Sequence, residues 1–111
     1  MAAQFEIKDA KGGQFMFVLK AANGEPILSS ETYKSKEGVK NGIESVMKNA
    51  VLADAYELKI AKNKQAYFVL KAANHQVIGT SEMYSSESAA KDGMAAVKKA
   101  APGAKVEDLT K

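Results

Sequence analysis

The sequence predicts an α+β fold built from two tandem β-β-β-α-β repeats. Three observations predict it. Phe5–Ala50 aligns without a gap on Tyr56–Ala101 at a constant offset of 51, and 22 of the 46 pairs are identical. Each copy begins with period-two alternation and ends with a helical period. The C-terminal residues then align with the start of the second copy, Val106-Glu107-Asp108-Leu109-Thr110 under Ala55-Tyr56-Glu57-Leu58-Lys59.

The first strand of each copy is Phe5-Glu6-Ile7-Lys8 and Tyr56-Glu57-Leu58-Lys59, apolar and polar in alternation. A polar turn follows, Lys11-Gly12-Gly13 or Lys62-Asn63-Lys64, and leads into a second strand at Gln14–Ala21 or Gln65–Ala72. Asn23-Gly24 reads as a type I′ hairpin turn, because both residues tolerate the positive φ it demands. The second copy has His75 in place of Gly24, at some cost in strain. The third strand spans Pro26–Glu31 or Gln76–Glu82.

There the period changes. Ser35 and Ser86 are set as N-caps, each offering a hydroxyl to the free amides of a first helical turn. Val39, Ile43, Val46, Met47 and Ala50 mark one helix face, and Ala90, Met94, Val97 and Ala101 mark its copy. Gly42 and Gly93 lie mid-helix, where glycine costs about 1 kcal/mol against alanine. Their recurrence predicts a helix backbone pressed closely on the sheet. Pro102-Gly103 closes the second helix, and Val106–Thr110 is read as a final strand.

Between the copies stands only Val51-Leu52-Ala53-Asp54-Ala55, which is apolar and unlike a flexible linker. The two repeats, about 4–54 and 55–111, are therefore expected to pack as a single domain over 1–111. A fifty-residue unit alone buries too little surface.

Composition removes several classes of function. Cysteine is absent, and with it disulfides, thiol catalysis and thiolate metal sites. One histidine, His75, supports neither a histidine-rich metal centre nor a His-based pair in each copy. No apolar run approaches the roughly 20 residues of a membrane span, and the N-terminal residues lack a secretory layout. A cytoplasmic protein is expected. The charge is +3, from 16 basic and 13 acidic residues. Every basic residue is a scattered lysine, so bidentate guanidinium contacts to phosphate or guanine are missing.

Ser30-Glu31 with Tyr33, and Ser81-Glu82 with Tyr84, form a hydroxyl–carboxylate cluster. A nucleophilic serine needs a positioned base, and neither copy supplies one. These residues read instead as a strand end, a cap and a tyrosine packed over the junction. Gly12-Gly13 lack the Gly-Lys-Ser/Thr of a phosphate loop. No catalytic, cofactor-binding or metal-binding residue is assigned.

Leu19-Lys20-Ala21-Ala22-Asn23-Gly24-Glu25, Ser30-Glu31 with Tyr33-Lys34-Ser35-Lys36, and Gly42-Ile43-Glu44-Ser45-Val46 with Lys48-Asn49-Ala50 resemble the YegP family of small bacterial proteins. Leu70–Asn74, Ser81-Glu82, Tyr84-Ser85-Ser86, Gly93 and Val97 repeat the pattern, so the resemblance spans essentially the whole chain. It implies a single antiparallel sheet with swapped C-terminal strands and two helices packed on one face. It brings no assigned biochemical function and no catalytic residues.

In that arrangement Phe15, Phe17 and Leu19, with Ala66, Phe68 and Leu70, face the helices. Met16, Val18 and Lys20, with Tyr67, Val69 and Lys71, fall on the open face, where family members often carry arginine. These six residues are the candidate binding face, for a peptide, a partner subunit or single-stranded nucleic acid. The last is the alternative reading, and the lone aromatic Tyr67 speaks against it. Tandem repeats supply their own pairing, so a monomer is expected.

Overall fold

Seven strands and two helices follow the repeat in the computed structural model, which describes residues 3–110. In chain order they are β1 (Gln4–Asp9), β2 (Phe15–Lys20), β3 (Pro26–Ser29), α1 (Lys36–Asn49), β4 (Tyr56–Ile60), β5 (Ala66–Lys71), β6 (Val77–Thr80), α2 (Glu87–Ala100) and β7 (Lys105–Asp108). All seven strands join one sheet in the order β4-β5-β6-β3-β2-β1-β7. The repeats meet where Ser29 of β3 opposes Thr80 of β6, the same position in each copy.

The C-terminal strand crosses to its sibling, as the resemblance implies: β7 leaves the second repeat and pairs with β1 of the first. One feature departs from a wholly antiparallel sheet. β7 runs parallel to β1, so the sheet is mixed and mostly antiparallel. The reason is topological. Each helix carries the chain across the sheet to the other repeat, α1 onto β5 and β6 and α2 onto β3. α1 delivers β4 directly beside β5, antiparallel to it. The matching slot beside β2 is already filled by β1, so β7 adds outside β1 and keeps the same direction.

The helix-facing side of the sheet forms the core. Phe5, Ile7, Phe17, Leu19, Phe68 and Leu70 are fully buried, and Val39, Val46 and Val97 close over them from the helices. Ser35 and Ser86 cap as expected, accepting from the Gly38 and Ala89 amides at 3.1 Å. Gly42 marks a close approach: a Cβ there would stand 2.6 Å from the Tyr33 hydroxyl and 3.1 Å from the Phe17 ring. Gly93 is pressed in the same way against Tyr84 and Phe68. Tyr33 stacks on Phe17 at 6.4 Å and Tyr84 on Phe68 at 6.3 Å.

The hairpin after β2 is not a type I′ turn. That turn requires positive φ at two residues, whereas Gly24 (+85°) has it and Asn23 does not. The Gly24 amide donates to the Ala21 carbonyl and the Ala21 amide to Glu25, both at 2.9 Å. This is a type I turn closed by one left-handed residue. His75 adopts that role in the second copy, at φ +69°. Asn23 and Asn74 instead accept from the Glu25 and Gln76 amides through their side chains.

Candidate binding face of the sheet

The face without helices is built from alternate residues of each strand. Register runs one row across six strands: Glu6, Val18, Ser29, Thr80, Val69, Glu57. It reads nearly the same from either end, as the internal twofold requires. The Ser29 hydroxyl donates to the Thr80 carbonyl at 3.4 Å near the centre. Glu107 of β7 extends the row beyond Glu6.

The six residues singled out from the sequence do lie on this face, but two are not open to solvent. Val18 is 8% exposed and Val69 is 5% exposed. Each sits between long side chains on its own strand and a glutamate and a hydroxyl residue across it. Met16 and Tyr67 are half-buried beside Lys8 and Lys59. The face is thus less apolar than alternation suggests, because neighbouring side chains close over the valines.

Lys20 and Lys71 are not free cations. Lys20 Nζ pairs with Glu6 at 3.0 Å, Lys8 flanks the same oxygen at 3.7 Å, and Gln4 donates to the other oxygen at 2.7 Å. In the second repeat Lys71 pairs with Glu57, and Lys59 flanks it at 3.8 Å. The Lys20 ammonium holds the Glu6 carboxyl beside it below its ordinary pKa, and the hydrogen bond from Lys71 does the same for Glu57. Glu6 is nearly buried whereas the Glu57 side chain is 45% exposed, because β7 covers β1 and, among the described residues, no strand lies beyond β4.

These glutamates are the residues missed in reading the face. The signal was available: Glu6 and Glu57 are identical in the two copies and share the phase of the lysines. What alternation cannot supply is register, and register decides which glutamate meets which lysine.

The hydroxyl–carboxylate cluster has a structural use. Ser30 Oγ accepts the Phe17 amide at 2.9 Å and donates to the Glu31 carbonyl at 2.7 Å. Ser81 repeats this with Phe68 and Glu82. Each hydroxyl therefore replaces a ladder bond where its strand turns away. Burial raises the Tyr33 and Tyr84 pKa values, with Glu31 and Glu82 adding to it. Tyr56, whose hydroxyl donates to the Ala50 carbonyl at 2.7 Å, is pushed up to about 12 by burial. These tyrosines stay neutral at ordinary pH. Among the described residues, no group of three or more His, Asp or Glu converges as a metal site. Among the same residues, no helix is long and apolar enough to cross a membrane.

Comparison with known proteins matches the family model described as a domain of unknown function, DUF1508, twice, over residues 10–57 and 61–108. A UPF0339 protein of Acinetobacter baylyi is 54% identical over 110 residues, covering 99% of each chain. The UPF0339 protein YegP of Yersinia pestis is 56% identical over 106 residues, covering 96% of this chain and 95% of its own. Two solution NMR structures share the fold. The UPF0339 protein of Shewanella oneidensis gives a TM-score of 0.92 at 48% identity, over 99% of this chain and 93% of that one. YegP of Escherichia coli gives 0.93 at 47%, over 99% and 95%. The chain belongs to the YegP (UPF0339) family of bacterial proteins, a tandem form of the DUF1508 domain whose function is unknown.

Proposed function

We propose that the protein is a non-enzymatic binding module of the bacterial cytoplasm, a monomer whose two repeats act as one domain. It engages its partner through the helix-free sheet face around Met16, Val18, Lys20, Tyr67, Val69 and Lys71. The observation that carries this reading is the symmetric disposition of that face. Half-buried Met16 and Tyr67 stand in matching places, beside lysines held in position by Glu6 and Glu57. A surface whose side chains are already ordered loses little entropy on binding.

The same ion pairs weigh against single-stranded nucleic acid. Lys20 and Lys71 are already neutralised, and phosphate contacts draw on free cationic charge. The test is an amide NMR titration of the full chain with fractionated cell extract, alongside oligothymidylate at low ionic strength. Shifts on β2 and β5 with an extract fraction and none with oligonucleotide support the reading. Salt-sensitive oligonucleotide binding on that face would establish the nucleic-acid alternative instead, and an unresponsive face would end both.

A further inference from the structure

The two outer edges of the sheet are equivalent by repeat but unequal in cover. On one, β7 lies along β1, where Phe5 and Ile7 are fully buried and Ile43 of α1 is 2% exposed. On the other, no strand lies beyond β4 among the described residues. The counterparts Tyr56, Leu58 and Met94 are each only half-buried, and Ile60 is 57% exposed. A groove of about 240 Å³ opens between Tyr56 and α2, lined by Ala53, Met94, Ala95 and Lys98. In the first repeat Val106 of β7 stands beside the residues matching these helix positions, Ile43, Glu44 and Met47.

The backbone of this edge is turned to receive a strand. Phe68 donates its amide to Ser81 Oγ and accepts from the Ser81 amide, both at 2.9 Å and both towards β6. Its antiparallel partner Leu58 therefore directs its own N–H and C=O away from β5, to the outer edge. The matching carbonyl of Ile7 accepts the Leu109 amide at 2.8 Å.

Charge identifies what fits. In β7 the side chain two positions after Val106 is Asp108, which pairs with Lys36 of α1 at 3.3 Å. The residue in the place of Lys36 is Glu87, so the sign is reversed on the open side. A second copy's β7 would bring Asp108 against Glu87, and such repulsion discourages head-to-tail growth of the sheet. We propose that the β4 edge accepts an extended peptide parallel to β4, with an aliphatic side chain in the Tyr56–Met94 groove and a basic one two positions later beside Glu87. The site is separate from the helix-free face and goes beyond that reading.

The test titrates the isotope-labelled full chain with two synthetic peptides. One has the sequence of residues 103–110, and the other carries Asp108→Lys. The altered peptide is expected to shift the amides of β4 and of Met94–Lys98 and to bind about threefold tighter, as exposed ion pairs allow. Glu87→Lys in the protein, an exposed position, should reverse the order of the two peptides. Equal affinities before and after that exchange would overturn the proposal. So would silence at millimolar peptide, shifts confined to Met16 and Tyr67, or β4 shifts produced by protein concentration alone.

Discussion

Leu28 and Gly79 occupy the same place in the two repeats and lie against each other at the middle of the sheet. A Cβ added to Gly79 would stand 2.7 Å from Leu28 Cγ. Near a twofold axis equivalent positions meet, and the space between them holds one large side chain. Leucine fills it from one side and glycine yields on the other. Gly79→Ala is expected to cost about 1–3 kcal/mol by overpacking, and Leu28→Ala about 2–5 kcal/mol by cavity formation. The double variant should cost less than the sum by at least about 0.5 kcal/mol in urea denaturation. Strict additivity would show that the contact is not the cause.

Gly42→Ala separates helix propensity from packing. Propensity alone makes alanine better by about 1 kcal/mol. The Tyr33 hydroxyl and Phe17 ring stand where the new methyl would go. A net loss of about 1–3 kcal/mol is expected, partly recovered by adding Tyr33→Phe. A gain in stability would refute the close approach of α1.

His75 carries a positive φ that its counterpart Gly24 adopts freely. The left-handed conformation costs a residue with a Cβ roughly 1–2 kcal/mol, less the greater entropy that glycine loses on folding. His75→Gly should therefore raise stability by about 1 kcal/mol, visible as a Tm increase of several degrees. An unchanged or lower Tm would mean that the imidazole makes a stabilising contact in solution.

Glu6 should make stability fall in acid. Its folded pKa lies below the ordinary 4.5, chiefly through Lys20. The contribution is thus complete above the unfolded value and lost as pH falls through the folded one. Glu6→Gln should cost about 1 kcal/mol at neutral pH, since Lys20 loses its partner. Titrated in denaturant, the gap to the parent chain should narrow as pH falls below the ordinary carboxylate range and the Glu6 carboxylate is protonated. A gap that persists in acid would assign the loss to packing.

Removing the residues after Gly103 uncovers Phe5 and Ile7, both fully buried beneath β7. A loss of about 3 kcal/mol is expected, from partial exposure of two large apolar side chains. Unfolding should remain a single transition in the full chain, because α1 rests on β5 and β6 and α2 on β3. Two resolved transitions would show that the repeats fold separately.

Much of this was legible in the residues. The offset of 51 exposed the duplication, the Phe17-Val18-Leu19 alternation placed the core side of the strands, and Ser35 and Ser86 marked the helix starts. The paired mid-helix glycines foretold the close approach. The burial of Val18 and Val69 was not legible, because it depends on side chains from other strands. Nor was the state of Lys20 and Lys71, since a lysine's partner is chosen by register. Asn23-Gly24 misled for a different reason: the dipeptide suits several turns, and only φ distinguishes them.

The amino-acid order determined the duplicated unit, the phase of every strand and the face of each helix. These follow from local periodicity and from side chains that tolerate or forbid a backbone conformation. Tertiary structure alone decided that β7 runs parallel to β1, that one Glu–Lys set is covered while its copy is exposed, and that β4 ends the sheet. Two similar halves share one sheet, but only one strand links them. β4 serves both repeats, and that one economy leaves the edges different.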